Sequence, residues 1–445
     1  MRVFKLRNSD FSYLALLAFV PLLCAVQSAH AADEVATDST VQLGRLMEID
    51  VRAPLKGGPL IGTPISTSKG VMQESMQDSG FGNFLDRDGI KVSGWVTNGV
   101  NQTTSSRSNL PMGYSVFPNR EDLNEVVLRI ARDVDTVQKD HIDWGFHIDA
   151  MYGIDYYMFL SKGLWDYQLA QARQYGYDVP QIFAEVYFPQ VAQGLAVRVG
   201  RILDNPTVNL SHNTFFTHTV FDNNTGDTQT GVVGTLKFSD AWTVQAGAVN
   251  TADVAVGTVG SKVSAIASIQ WTPNKSDAVY LMAYGINDGT YAYHNWQTYY
   301  LIWSHQLSQR LYSRLQLASF YEKDVPVSDV GGQGYIPTVS AAAGATTGYA
   351  KGASAIATLQ YSITPADYAG VRFEYTEDKQ GTLTGTGSTY TTYTLGYSHS
   401  FNKVFTGTID LRYDKSFGNP AFDNTADTSP RMDQALAAAS ITARF

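Results

Sequence analysis

Apolar and polar residues alternate in segments of about ten residues from about residue 89 to the end of the chain. The segment VSAIASIQW places Val263, Ile269 and Trp271 on one side, and Ser264 and Gln270 on the other. Successive side chains of a strand point to opposite faces of a sheet. This period of two therefore predicts β-strands with one apolar and one polar face.

Two features of the alternation favour a membrane barrel over a soluble sandwich. The apolar faces often begin or end in aromatic residues, as Trp144 and Tyr152 do in IDWGFHIDAMY, and aromatic rings are enriched at the headgroup level of a bilayer. The opposite face of that segment carries Asp143, His147 and Asp149. Such a face is too polar to form the second layer of a packed core.

The connections between the segments alternate in length. Short turns such as PNKSD and TPAD alternate with long loops such as 203–229 and 321–350. The sequence therefore predicts an all-β fold, a transmembrane antiparallel β-barrel of about 16 strands with long outer loops and short periplasmic turns. We expect the barrel to span residues 89–445 and the segment ALAAASITARF to close it, with Phe445 as the barrel-assembly signal.

The N-terminal part of the chain lacks this pattern. A basic start (MRVFKLR), an apolar run and the small-residue stretch SAHA predict a cleaved signal peptide at residues 1–31. A lipoprotein signal using Cys24 is disfavoured, because the bulky Leu23 precedes it. Residues 32–88 are rich in Gly, Pro, Ser and Thr and are expected to form a flexible periplasmic extension with a weak helix in KGVMQESMQ.

Composition narrows the possible partners. The chain has 32 Lys and Arg against 41 Asp and Glu, a formal net charge of -9, which argues against a nucleic-acid partner. Charged residues make up 16% of the chain, and the mean hydropathy is -0.15. No apolar run long enough for a spanning helix follows the signal segment, so a helical membrane protein is not expected.

Five stretches resemble the OmpL-like β-barrel porins, also called the porin-2 family of Gram-negative outer membranes. They are GWVTNGVNQTTSSRSNLP, LNEVVLRIARDVD, IDWGFHIDAMYGIDY, QIFAEVYFPQVAQGLAVRVGRIL and NTFFTHTVFDNNTGDTQTGVVGTLKF. One departure is Ala131 before Arg132, where a Glu-Arg pair is expected. The resemblance implies an outer-membrane diffusion channel without catalytic residues.

The alternation also assigns charged residues to the inward face, where they would line a water-filled lumen. The predicted pore-lining residues are Glu125, Arg129, Asp143, His147, Asp149, Glu185, Arg198, Arg314, Arg372, Glu374, Asp410 and Arg412. The set contains both positively and negatively charged residues. Two interpretations therefore stay open: a weakly selective pore with a transverse electric field, or ion pairs that stiffen the wall.

The third long loop, LDNPTVNLSHNTFFTHTVFDNNTGDTQ, is a candidate constriction. Its predicted constriction residues are Asp204, His212, Phe215, Phe216, His218 and Asp222. The phenylalanines, with Phe221, would anchor the loop against the inner wall. The two histidines lack a recognised ligand spacing, and DNNTGDTQ lacks the final Glu of a calcium loop, so we expect no metal or other cofactor.

The sequence thus predicts an outer-membrane porin that passes small hydrophilic solutes by diffusion. A channel specific for sugars or acidic solutes and a structural or adhesive barrel are the alternatives. We expect no enzymatic activity, because the sequence has no nucleophile elbow and no converging catalytic set. The expected partners are outer-membrane lipid and the barrel-assembly machinery, with a homotrimer as a further option.

Overall fold

The computed structural model describes residues 61–66, 69–106, 117–171, 174–203, 214–223, 225–255, 262–291, 295–325 and 349–445. The predicted signal peptide lies outside the described residues. The strands are β1 (Lys91–Thr103), β2 (Glu121–Arg132), β3 (Asp143–Gly153), β4 (Gly176–Phe188), β5 (Leu195–Leu203), β6 (Thr228–Lys237), β7 (Trp242–Asn250), β8 (Val263–Trp271), β9 (Asp277–Ile286), β10 (Gln297–Gln306), β11 (Leu311–Lys323), β12 (Tyr349–Thr364), β13 (Asp367–Asp378), β14 (Ser388–Ser400), β15 (Phe405–Ser416), β16 (Phe422–Asp423), β17 (Pro430–Arg431) and β18 (Asp433–Arg444).

Sixteen of these strands, β1 to β15 and β18, form a closed antiparallel barrel. The last strand closes against the first, with Trp95 paired to Arg444 and Thr103 paired to Leu436. Gly94 and Phe445 exchange two backbone hydrogen bonds of 2.9 Å at the end of this seam. The predicted fold is confirmed. Closure leaves no open sheet edge, whose unpaired backbone groups would find no water in a bilayer.

Burial follows the alternation of the sequence. In β8 every second residue, from Val263 to Trp271, is exposed on the outside, and the residues between are buried. Exposed tryptophans Trp144, Trp242 and Trp271 lie where strands meet the short turns, and exposed tyrosines such as Tyr152 lie near the long loops. The outer surface therefore carries an aromatic belt at each end.

The two ends of the barrel differ. The connections 189–194, 238–241, 272–276, 307–310, 365–366 and 401–404 lie at one end, with the longer turn 133–142. The connections 104–120, 154–175, 204–227, 251–262, 287–296, 324–348, 379–387 and 417–432 lie at the other. We call these the short-turn end and the long-loop end. The strands β16 and β17 form a separate two-stranded sheet within the last long loop.

The described part of the N-terminal extension packs on the short-turn end. It holds the helices α1 (Val71–Ser75) and α2 (Gly80–Arg87), and Ser79 caps α2 by accepting a hydrogen bond from the Gly82 amide. The Gln73 side chain accepts from the Val92 amide of β1 at 3.1 Å. This docking contrasts with the flexible arm that the composition of residues 32–88 predicts.

A second contact lies further along the same end. Ile61 is buried against Val134, Tyr187 and Ala196, and the Gly62 amide donates to Thr136 Oγ1 at 3.0 Å. The remaining helices, α3 (Tyr156–Phe159), α4 (Tyr167–Ala170) and α5 (Val220–Asn223), lie in long loops. No helix in the described ranges has the length and apolar character needed to cross a membrane.

Candidate channel lumen

Residues 214–223 of the third long loop, which we call the third-loop segment, lie inside the barrel. The loop leaves from β5 and returns to β6, yet the described contacts of the segment reach β13 and β15. In the closed ring of strands, β14 lies diametrically opposite β6. The segment therefore lies against the wall opposite the strands that the loop connects.

Two carboxylates of the far wall accept hydrogen bonds from the backbone of this segment. Glu374 on β13 accepts from the Val220 amide at 2.9 Å and from the Phe221 amide at 3.0 Å. Asp410 on β15 accepts from the Thr217 amide at 2.6 Å. Both carboxylates are fully buried. They satisfy amides that would otherwise be unpaired in the interior, which is costly for a loop without ladder partners.

Two guanidinium groups of the same wall bind the carbonyls of the segment. Arg372 donates to the Thr217 carbonyl at 2.8 Å, and Arg412 donates to the His218 carbonyl. Arg412 also pairs with Asp414 at 2.8 Å. The carboxylates of the wall thus accept from the amides of the loop, and the guanidinium groups of the wall donate to its carbonyls. These hydrogen bonds hold the third-loop segment in one position.

Aromatic side chains of the segment pack where the wall has no side chain. A Cβ atom at Gly396 would lie 2.5 Å from the Phe215 ring, and one at Gly99 would lie 2.4 Å from the Phe216 ring. Phe216 also forms an apolar cluster with Leu436. Glycine is required at these inward positions because the rings occupy the space of a side chain.

The second long loop also enters the lumen. Its helix α3 buries Tyr156 and Phe159 completely. Arg201 of β5 donates to the Phe159 carbonyl and makes two hydrogen bonds, of 2.9 and 2.8 Å, to Asp178 of β4. The sequence prediction missed this element. The apolar run IDYYMFL inside an expected polar loop was the signal that could have found it.

Asp155 begins this inserted stretch, between β3 and β4. Its backbone amide donates to the Asn124 carbonyl at 3.0 Å, and its carboxyl accepts from Asn124 Nδ2 at 3.2 Å. Burial, and next the charge of Glu125, raise the pKa of Asp155 well above its usual range. The folded loop therefore binds a proton at this carboxyl more tightly than the unfolded chain does.

Ion pairs line the wall that strands β2 to β5 form. Arg129 of β2 makes two hydrogen bonds, of 2.8 and 2.7 Å, to Asp149 of β3. His147 lies 3.0 Å from the same carboxylate. Further along the wall, Arg198 of β5 donates to Glu185 of β4 at 2.6 Å. These pairs join neighbouring strands and do not contact the third-loop segment.

The predicted pore-lining residues all lie at inward positions of barrel strands, and the structure divides them into groups. Arg129, Asp143, His147, Glu185 and Arg198 lie in the short-turn half of β2 to β5, Asp149 lies at the middle of β3, and Arg314 lies on β11. Glu125 is fully buried and accepts from Trp95 Nε1 at 2.7 Å. Arg372, Glu374, Asp410 and Arg412 lie beneath the third-loop segment. That they contact a passing solute stays a prediction.

The predicted constriction residues divide similarly. Phe215, Phe216, His218 and Asp222 belong to the segment inside the barrel, and Gln316 of β11 donates to Asp222 at 2.7 Å. Asp204 and His212 lie outside the described residues. Within the described part of the chain, no cluster of three or more His, Cys, Asp and Glu side chains is arranged to hold a metal ion.

Comparison with known proteins agrees with this architecture. The family described as putative β-barrel porin-2, OmpL-like, matches residues 89–445. The anion-selective porin from Comamonas acidovorans is a similar solved structure, with a TM-score of 0.52, 13% identity, and 80% of this chain and 99% of that chain covered. OprB of Pseudomonas putida is another, with a TM-score of 0.53, 12% identity, and 83% and 97% covered. At these identities the likeness shows the fold alone. No curated protein sequence matches the chain.

Proposed function

The chain belongs to the OmpL-like putative β-barrel porin-2 family, and we propose that it is an outer-membrane porin whose diffusion path is set by the third-loop segment. Family and fold together make it an outer-membrane channel, and proteins of this family and fold are typically not enzymes. Small hydrophilic solutes are the substrates that a barrel of this strand number admits.

The observation that carries this proposal is the fastening of the third-loop segment to the far wall. Glu374 and Asp410 accept three of its backbone amides, and Arg372 and Arg412 bind its carbonyls. A loop segment that is held against the inner face of the barrel wall narrows the path without closing the whole barrel. Its position therefore sets the conductance.

Single-channel recording in a planar bilayer tests the proposal. The purified protein is expected to give discrete current steps, and the double variant Glu374→Gln with Asp410→Asn is expected to give larger or fluctuating steps, because the fastening is weakened. Glu377→Gln is the matched control, since it lies on the same strand β13 but is partly exposed, on the outward face. Silence from a folded barrel, or equal steps in all three proteins, would contradict the proposal.

The remaining features of the proposal concern export and assembly. Residues 1–31 would direct export, Phe445 would be recognised by the barrel-assembly machinery, and the aromatic belts would lie in outer-membrane lipid.

Porin barrels often associate, and a homotrimer is the assembly we propose to test by chemical cross-linking in detergent. A single band at the monomer mass would contradict it. A sugar-specific channel would instead show current block by that sugar.

A further inference from the structure

Two ion pairs whose arginines lie in the short-turn half of the lumen are asymmetric in their exposure. The side chain of Arg129 is 32% exposed, whereas that of Asp149 is 0% exposed. The side chains of Arg198 and Glu185 are 13% and 7% exposed. In each pair the arginine side chain is more exposed than the carboxylate.

Two further arginines in this half have uncharged partners. Arg314 of β11 donates to Gln316 Oε1 at 3.1 Å, and Arg444 of β18 donates to Thr406 Oγ1 at 2.8 Å. Among the described residues, no carboxylate lies within salt-bridge distance of either guanidinium. Their positive charges are therefore not neutralised locally.

The register places these arginines in one zone of the barrel. Arg129, Arg198, Arg314 and Arg444 each lie within three residues of the short-turn end of their strand. The four strands β2, β5, β11 and β18 are spread around the closed ring rather than adjacent to one another. The arginines thus surround the lumen on several sides, below the third-loop segment.

The carboxylates of the long-loop half do not offset this exposed charge at the water surface. Glu374, Asp410 and Asp378 are fully buried and accept hydrogen bonds from loop amides, for example from Leu383 and Thr384 to Asp378 at 3.0 and 2.9 Å. An amide donor presents its positive end to the carboxylate and screens it. An ion that enters the lumen from the short-turn end therefore meets partly exposed guanidinium groups before it reaches these buried carboxylates.

We infer that the short-turn half of the lumen is an anion filter, and that the channel passes small anionic solutes in preference to cations. The inference rests on the proposed porin function and names its solute class. It rests on this chain's own side chains, because guanidinium groups attract anions and the low dielectric of the wall strengthens that attraction. The net charge of -9 of the whole chain does not set the sign of the lumen, since most of its carboxylates lie elsewhere or are buried.

The test is the reversal potential of the reconstituted protein across a potassium chloride gradient at low ionic strength. The sign is expected to show chloride preference. The double variant Arg314→Gln with Arg444→Gln is expected to lower the chloride-to-potassium permeability ratio about fourfold for each charge removed. A unit charge acting across about 8 Å of water changes the permeability of each ion by about twofold, in opposite directions for the anion and the cation. Arg310→Gln is the matched control, because Arg310 is exposed in the turn before β11.

The outcomes separate this inference from the proposed function. The folded state of the barrel is checked by the change in its gel mobility on heating. If the folded barrel passes no current, the porin function itself is overturned. Current with a potassium preference would leave the porin intact and overturn the anion filter. A chloride preference that the double variant retains in full, or that Arg310→Gln lowers equally, would also overturn it, because the arginines in the lumen would then not be its source.

Discussion

The two halves of the lumen use the same inward charges in different ways. In the long-loop half, Glu374 and Arg412 are buried beneath the third-loop segment and bind its backbone. In the short-turn half, Arg198 and Glu185 also occupy inward positions, yet they bind each other across neighbouring strands and the arginine stays partly exposed. An inward charge thus has a structural or an electrostatic role according to whether a loop covers it.

Removing one arginine from each half should give the largest contrast. Arg412→Ala is expected to lower the free energy of unfolding by about 3–5 kcal/mol, because it leaves the buried carboxylate of Asp414 without its cation. Arg314→Ala is the control and should lower the free energy of unfolding by less than about 1 kcal/mol. Arg314 has no carboxylate partner that the substitution would leave buried without a cation. Urea unfolding of the barrel in lipid vesicles measures both. Equal losses would show that the two halves do not differ.

A methyl group added beneath the third-loop segment should have a smaller effect. Gly396→Ala places a Cβ 2.5 Å from the Phe215 ring and is expected to cost about 1–3 kcal/mol and to increase current fluctuation, because the ring must move. Gly407→Ala on the next strand is the control, where the nearest atom is 3.1 Å away, on the Phe401 ring. Unfolding and single-channel recording of both variants would decide whether the packing of Phe215 holds the segment.

The second loop should give the long-loop half a pH dependence. The raised pKa of Asp155 means that the folded loop binds a proton more tightly than the unfolded chain, whose Asp pKa is about 3.9. This contribution to stability is fully present below about pH 3.9 and is lost as the pH rises through the folded pKa. Asp155→Asn should flatten the profile of unfolding free energy as the pH rises above the unfolded Asp pKa of about 3.9. An unchanged profile would exclude Asp155 as its source.

Salt should act on the short-turn half alone, with the smallest effect. Raising the ionic strength from about 0.1 M to about 1 M shortens the Debye length from about 10 Å to about 3 Å, so the chloride preference due to the exposed arginines should decline. The buried fastening of the third-loop segment is screened much less, so the current steps should stay discrete at both salt concentrations. A preference that persists at high salt would point to a source other than exposed charge.

The sequence alone determined the barrel, its approximate strand count, the difference between its two ends and the inward position of each predicted charge. These features depend on neighbouring residues, because a period of two and the composition of turns are local properties of the chain. The same reasoning missed the inserted helix α3, because contacts with distant strands set its position. It described residues 32–88 as a flexible extension, and the contact of Gln73 with β1 is likewise one that local pattern does not indicate.

Only the tertiary structure decided which charges the loops cover. Thr217 binds Asp410 across 193 positions of sequence, and Val220 binds Glu374 across 154. The space left by Gly99 and Gly396 is filled by rings from a loop that lies far away in the chain. Alternation assigns a side chain to the lumen, but it carries no information about what else occupies the lumen. That depends on the path of the loops after the barrel has closed.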